Sequence, residues 1–113
     1  MTLTEVVDLT GDLDGVKSSV LINKETQAIT TAKSGADEAF ASQARNALEK
    51  VLGLARDLEI SNPENFSLQS GKGKIHFFNG PKACVAILHE DRDFSAGVRE
   101  KLTLVAREVT EML

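Results

Sequence analysis

Six consecutive apolar residues, Ala83-Cys84-Val85-Ala86-Ile87-Leu88, constrain this chain more than any other feature. A strand sends successive side chains to opposite faces of its sheet, so a strand with one wet face alternates polar and apolar residues. This run does not alternate. Read as the centre of a strand from Lys82 to His89, it needs apolar cover on both faces. A chain of 113 residues has room for one core only, so residues 1–113 are expected to form one domain that supplies its own cover.

Three stretches carry helical periodicity. Leu3, Val6, Val7 and Leu9 mark a short helix over Leu3–Leu13, broken by Gly11-Asp12-Leu13-Asp14-Gly15. Phe40, Ala44, Leu48, Val51, Ala55 and Leu58 form one stripe of a long helix over Ala36–Leu58. Its apolar arc spans about 160° at 100° per residue, wider than one sheet face requires. Ala41 and Leu52 lie at one margin of that arc, Ala47 and Leu54 at the other. Phe94, Val98, Leu102, Val105, Val109 and Leu113 mark a C-terminal helix.

The intervening segments read as strands. Val16–Ile22 and Gln27–Ala32 form a hairpin around Asn23-Lys24-Glu25-Thr26. Asn65–Ser70 alternates, with Phe66 and Leu68 on one side and Ser67 and Gln69 on the other. Turns at Gly71-Lys72-Gly73 and Asn79-Gly80-Pro81 join it to Lys74–Phe78 and then to the apolar strand, giving a meander. These connections are too short for parallel crossovers. The expected fold is an α/β (α+β) three-layer α-β-α sandwich on a five-stranded, mostly antiparallel sheet, in the order α-β-β-α-β-β-β-α.

Composition removes several functions. A net charge of −4 and few aromatic residues, five Phe with no Trp or Tyr, argue against a nucleic-acid surface. No apolar run approaches the roughly 20 residues that span a bilayer, and the N-terminal residues resemble no secretory signal. The single Cys84 lies inside the apolar run, as in a protein of a reducing compartment, so a cytoplasmic location is expected. On that expectation the sequon Asn65-Phe66-Ser67 is a coincidence of spelling.

Catalytic and cofactor constellations are not evident. Gly71-Lys72-Gly73-Lys74 precedes a strand, whereas a phosphate-cradling loop precedes a helix. His76 and His89 lack metal-ligand spacing. An apolar strand centre would raise the Cys84 thiol pKa and shield it. Asp93 reads as an N-cap or first-turn acid of the last helix. No nucleophile–base pair, metal site or cofactor is predicted.

Two features point to self-association. The strand Asn65–Ser70 reads as a sheet edge, yet carries neither Lys nor Pro to guard it. Phe66, Ser67, Leu68 and Gln69 could therefore pair with a second copy across a two-fold axis. The preceding helix has a surplus apolar margin that a partner helix would bury. The sequence leaves both margins open. Ala47 and Leu54 are favoured, because Gln43 and Lys50 beside them could form a polar rim. Leu104 stands alone on the polar face of the last helix, and Arg45 and Arg56 lie on the polar side of the long one, which makes these three candidates for docking a protein.

The element order and the stretches "GVKSSVLINKETQAITTA", "FSLQSGKGKIHFFNGPKACVAIL" and "FSAGVREKL" resemble the roadblock/dynein light chain (roadblock/LC7-like) family. Gly97-Val98-Arg99 is similar to that family's Gly-apolar-Arg element. The chain departs from the family in a first hairpin turn without Gly and in Ser18-Ser19, where an apolar pair is commoner. The resemblance implies a non-catalytic homodimeric adaptor that binds or regulates a small Ras-like GTPase, or serves a motor or signalling complex. The alternative is a profilin-like small-molecule sensor, which would need a pocket of convergent polar groups that the sequence does not display.

Overall fold

The computed structural model describes residues 2–31, 38–60, 65–71, 73–90 and 93–112. Its elements are α1 (Leu3–Gly11), β1 (Val16–Asn23), β2 (Ile29–Thr31), α2 (Glu38–Asp57), β3 (Asn65–Ser70), β4 (Gly73–Asn79), β5 (Ala83–His89) and α3 (Val98–Met112). The strands form one sheet in the order β2-β1-β5-β4-β3, and every neighbouring pair is antiparallel. The expected order of elements and the sandwich are both observed.

The apolar run explains the layering. β5 lies at the centre of the sheet and every one of its residues is buried. Cys84, Ala86 and Leu88 pack with Phe40, Ala41, Ala44 and Leu48 of α2. Val85 and Ile87 face the other way, into a core with Val6 and Val7 of α1 and Val98, Leu102, Ala106 and Val109 of α3. One helix therefore covers one face, and two cover the other.

Ser19, a polar residue beside the apolar Val20, Leu21 and Ile22 of β1, is buried and satisfied. Its hydroxyl donates to the Val7 carbonyl at 3.2 Å and bonds the Thr10 hydroxyl at 2.5 Å, which ties β1 to α1. Gly80 holds α3 down in another way: a Cβ there would run into the Ala106 carbonyl oxygen, so only glycine permits this approach.

Several expectations are corrected. β2 begins at Ile29, because Gln27 adopts a left-handed φ of 62° and belongs to the turn. The Asn23 side chain stabilises that turn by accepting from the Glu25 and Thr26 N–H groups at 2.9 and 3.2 Å. α3 begins at Val98, after Gly97 with φ of 82°, so Asp93 is not its N-cap and Phe94 lies outside the helix. Phe94 still packs against the α1–α3 core. Leu9 is exposed while Thr10 is buried, and Leu58 projects into solvent just past the end of α2. Ala32, Ala36 and Leu113, at the ends of expected elements, lie outside the described residues.

Candidate functional site: a helix seam, an open sheet edge and two polar hollows

Exposure differs between the two margins of α2 at Leu52 and Leu54, while Ala47 and Leu52 both pack against the core beneath the helix. Ala41 is buried and Leu52 half-buried against the sheet, so that margin is used within the domain. Leu54, on the opposite margin, is 59% exposed. Ala47, Val51, Leu54 and Leu58 succeed one another at steps of four, three and four residues, the spacing of a helix-pairing seam. Ala47 and Val51 are half-buried, whereas Leu54 and Leu58 are exposed. Gln43 and Lys50 are exposed beside the seam. α2 ends in a cap with Glu59 in the left-handed conformation at φ 57°, where the Ile60 N–H reaches the Ala55 carbonyl at 2.8 Å. Ile60 thereby extends the exposed apolar surface beyond the helix.

Phe66 and Ile75 of the sheet edge pack against the same core cluster as α2. α2 lies across β1 and β2, so the β3–β4 end of that sheet face is only partly covered. Phe66 stacks on Phe77 at 4.7 Å between ring centroids, and both Phe66 and Ile75 remain half-buried. Leu68, opposite Ile75 in register, is 39% exposed. β3 pairs with β4 on one side and has no strand on its other side among the described residues. Ser67 and Gln69 are exposed on the opposite face.

The docking candidates fall on two other surfaces. Arg45 and Arg56 meet Lys24, Gln27, Glu49 and Leu52 around a hollow of about 300 Å³ between α2 and the β1–β2 turn. Lys24 donates to the Gly80 carbonyl at 3.0 Å, and burial lowers its pKa against a smaller opposing effect of Cys84. Leu104 is 54% exposed on α3 and makes no part of either core cluster. These three candidates do not form one site.

The chemistry of Cys84 matches its position. Burial pushes its thiol up to about 12, while Lys24 and a backbone hydrogen bond from Phe78 pull weakly the other way. No group of three or more His, Cys, Asp or Glu suited to a metal occurs among the described residues. No helix in them is long and apolar enough to cross a membrane.

One polar constellation escaped the sequence reading. A hollow of about 430 Å³ opens between β4 and the start of α3, lined by Ser67, Lys74, His76, Phe94, Gly97 and Arg99 among others. His76 and His89, thirteen residues apart, both pack on Phe94 with ring centroids 4.5 Å away. The Arg99 guanidinium lies 5.0 Å from the same ring. The only sequence signal was the shared side of His76 and Phe78 on β4, and it named neither partner.

No family model and no curated relative matches this sequence. Solved structures do match in fold. Myxococcus xanthus MglB superposes with a TM-score of 0.73 at 19% identity, over 96% of this chain and 85% of that one. A Roadblock/LC7 domain from Streptomyces avermitilis gives 0.73 at 13% identity, over 99% and 98%. A structure described as MglB with tetrameric arrangement gives 0.62 at 16% identity, over 96% and 88%. With the observed order of helices and antiparallel strands, these matches establish that the chain has the roadblock/LC7-like fold.

Proposed function

We propose that the chain is a non-catalytic homodimeric adaptor in the cytoplasm, joined through α2 and β3, whose paired surface docks a protein, with a small Ras-like GTPase as the leading partner class. The observation that carries this reading is the coincidence of two unfinished surfaces. Leu54 and Leu58 are exposed beside the half-buried Val51, and Phe66, Leu68 and Ile75 lie only partly covered at the sheet edge. A two-fold pairing of β3 with its copy would satisfy the strand edge and place a second α2 over the open end of the sheet. Gln43 and Lys50 would then line the rim, with Ala47 allowing close approach of the helices. The tetrameric arrangement named for one MglB supports self-association as a property of this fold.

Leu104, Arg45 and Arg56 are the residues assigned to partner contact. Non-catalytic action fits the buried, high-pKa thiol of Cys84. The test is light scattering of the purified chain mixed with a nucleotide-loaded small GTPase from the same cell. Two copies of the chain per GTPase are expected. A one-to-one complex with the monomer contradicts a jointly built surface, and GTP hydrolysis by the chain alone contradicts the adaptor reading.

A further inference from the structure

The hollow of about 300 Å³ between α2 and the β1–β2 turn gathers positive charge on a chain whose net charge is −4. Lys24, Arg45 and Arg56 line it, and Glu49, which is exposed, is the one carboxylate among the lining residues. Arg45 is half-buried, and among the described residues neither it nor Arg56 makes a hydrogen bond or an ion pair. A guanidinium has five donors, and one that is half-buried loses water on one side without gaining an acceptor. An incoming carboxylate would supply it.

Lys24 is held in position for the same task. Its ammonium donates to the Gly80 carbonyl at 3.0 Å and its backbone N–H to the Lys82 carbonyl at 2.9 Å, while the Asn23 side chain braces the turn that carries it. One ammonium donor is used there, which leaves the others for a ligand.

The spacing of these charges selects the kind of anion. Arg45, Glu49, Leu52 and Arg56 follow one another at steps of four, three and four residues, so they form one stripe along α2. Eleven residues of helix place Arg45 and Arg56 about 16 Å apart along the axis. That length matches about five residues of extended chain. Leu52, half-buried between them, offers an apolar contact. One small anion would meet only part of this stripe. A short extended segment, acidic toward both ends and apolar at its middle, meets all of it.

We infer that this hollow docks an acidic, extended segment of a partner protein, its carboxylates on Lys24, Arg45 and Arg56 and its central apolar side chain on Leu52. The inference rests on the reading of Arg45 and Arg56 as partner contacts and gives them a ligand chemistry. Two-dimensional NMR titration of the full chain with the peptide acetyl-Asp-Glu-Leu-Glu-Asp-amide tests it. Saturable shift changes are expected at the β1–β2 turn and along the stripe from Arg45 to Arg56, and none with a peptide carrying Asn and Gln in place of the acids.

Arg45→Gln and Arg56→Gln should each weaken binding by about fivefold, the upper range for a partly exposed charge pair. Glu49→Gln should tighten it, whereas Arg107→Gln, an exposed cation on α3, should leave it unchanged. Glu49 and Arg56 are exposed, so their variants test the hollow without endangering the fold. An acidic peptide that gives no saturable shifts overturns the inference, as does one that binds both arginine variants as well as wild type. Inorganic phosphate producing the same shifts at the same concentration overturns it too. The docking reading is decided apart from this, by the light-scattering complex with a GTPase, so the two can fail separately.

Discussion

His76 shows how one residue converts packing into a measurable pH dependence. Its folded pKa of about 4 lies below the ordinary 6.5. Between those values the unfolded chain takes up a proton that the folded chain refuses. The contribution of His76 to stability is therefore full above about pH 6.5 and is lost progressively as pH falls toward about 4. Burial is the larger cause, His89, Arg99 and Lys74 add to it, and Asp93 and Glu100 line the same hollow. Urea unfolding of wild type and His76→Phe at about pH 7 and about pH 5 isolates this effect. Wild type should lose more stability than the variant on acidification; equal losses contradict the assignment. Leu104 is the converse case, exposed and outside both core clusters. Leu104→Glu should move the melting temperature little, within the roughly ±0.5 kcal/mol usual for surface changes. A large drop would show that Leu104 is buried in the working assembly or in the core.

At the scale of elements, what the sequence disclosed follows from period and what it hid follows from backbone conformation. β5 declared itself by apolar character on both faces, and β3 by alternation with an unguarded edge. The start of α3 was misplaced because Phe94 continues the apolar spacing of Val98 and Leu102, although Gly97 takes a left-handed φ that ends the periodic segment. Gln27 misled in the same way, since no propensity marks it for the left-handed region. The margins of α2 could not be told apart in sequence because both are equally apolar; in the fold Leu52 packs on the core while Leu54 is exposed. The His76–Phe94–Arg99 cluster draws on β4, the loop before α3 and α3 itself, a juxtaposition that no local pattern encodes. Gly80 ties the β4–β5 turn to α3. Gly80→Ala should cost more than the roughly 1 kcal/mol typical of a point mutation, because the Ala106 backbone must move to admit a methyl group. Denaturant unfolding reads this directly, and an unchanged midpoint would mean that α3 shifts freely on the sheet.

For the whole molecule, the two faces of the sheet have different fates. The α1–α3 face is closed by two helices, whereas the α2 face is closed at its β1–β2 end and open toward β3. The open end of the α2 face is the surface that the proposed second copy would cover. Dimerisation through α2 and β3 is the claim on which the adaptor reading depends, and sedimentation measures it most directly. Analytical ultracentrifugation at micromolar concentration should show a dimer for wild type. It should show a monomer for the double variant Leu54→Glu with Ser67→Pro, which places a charge in the seam and removes an N–H from β3. A wild type that sediments as a monomer contradicts the account, and a double variant that remains dimeric places the interface on another surface.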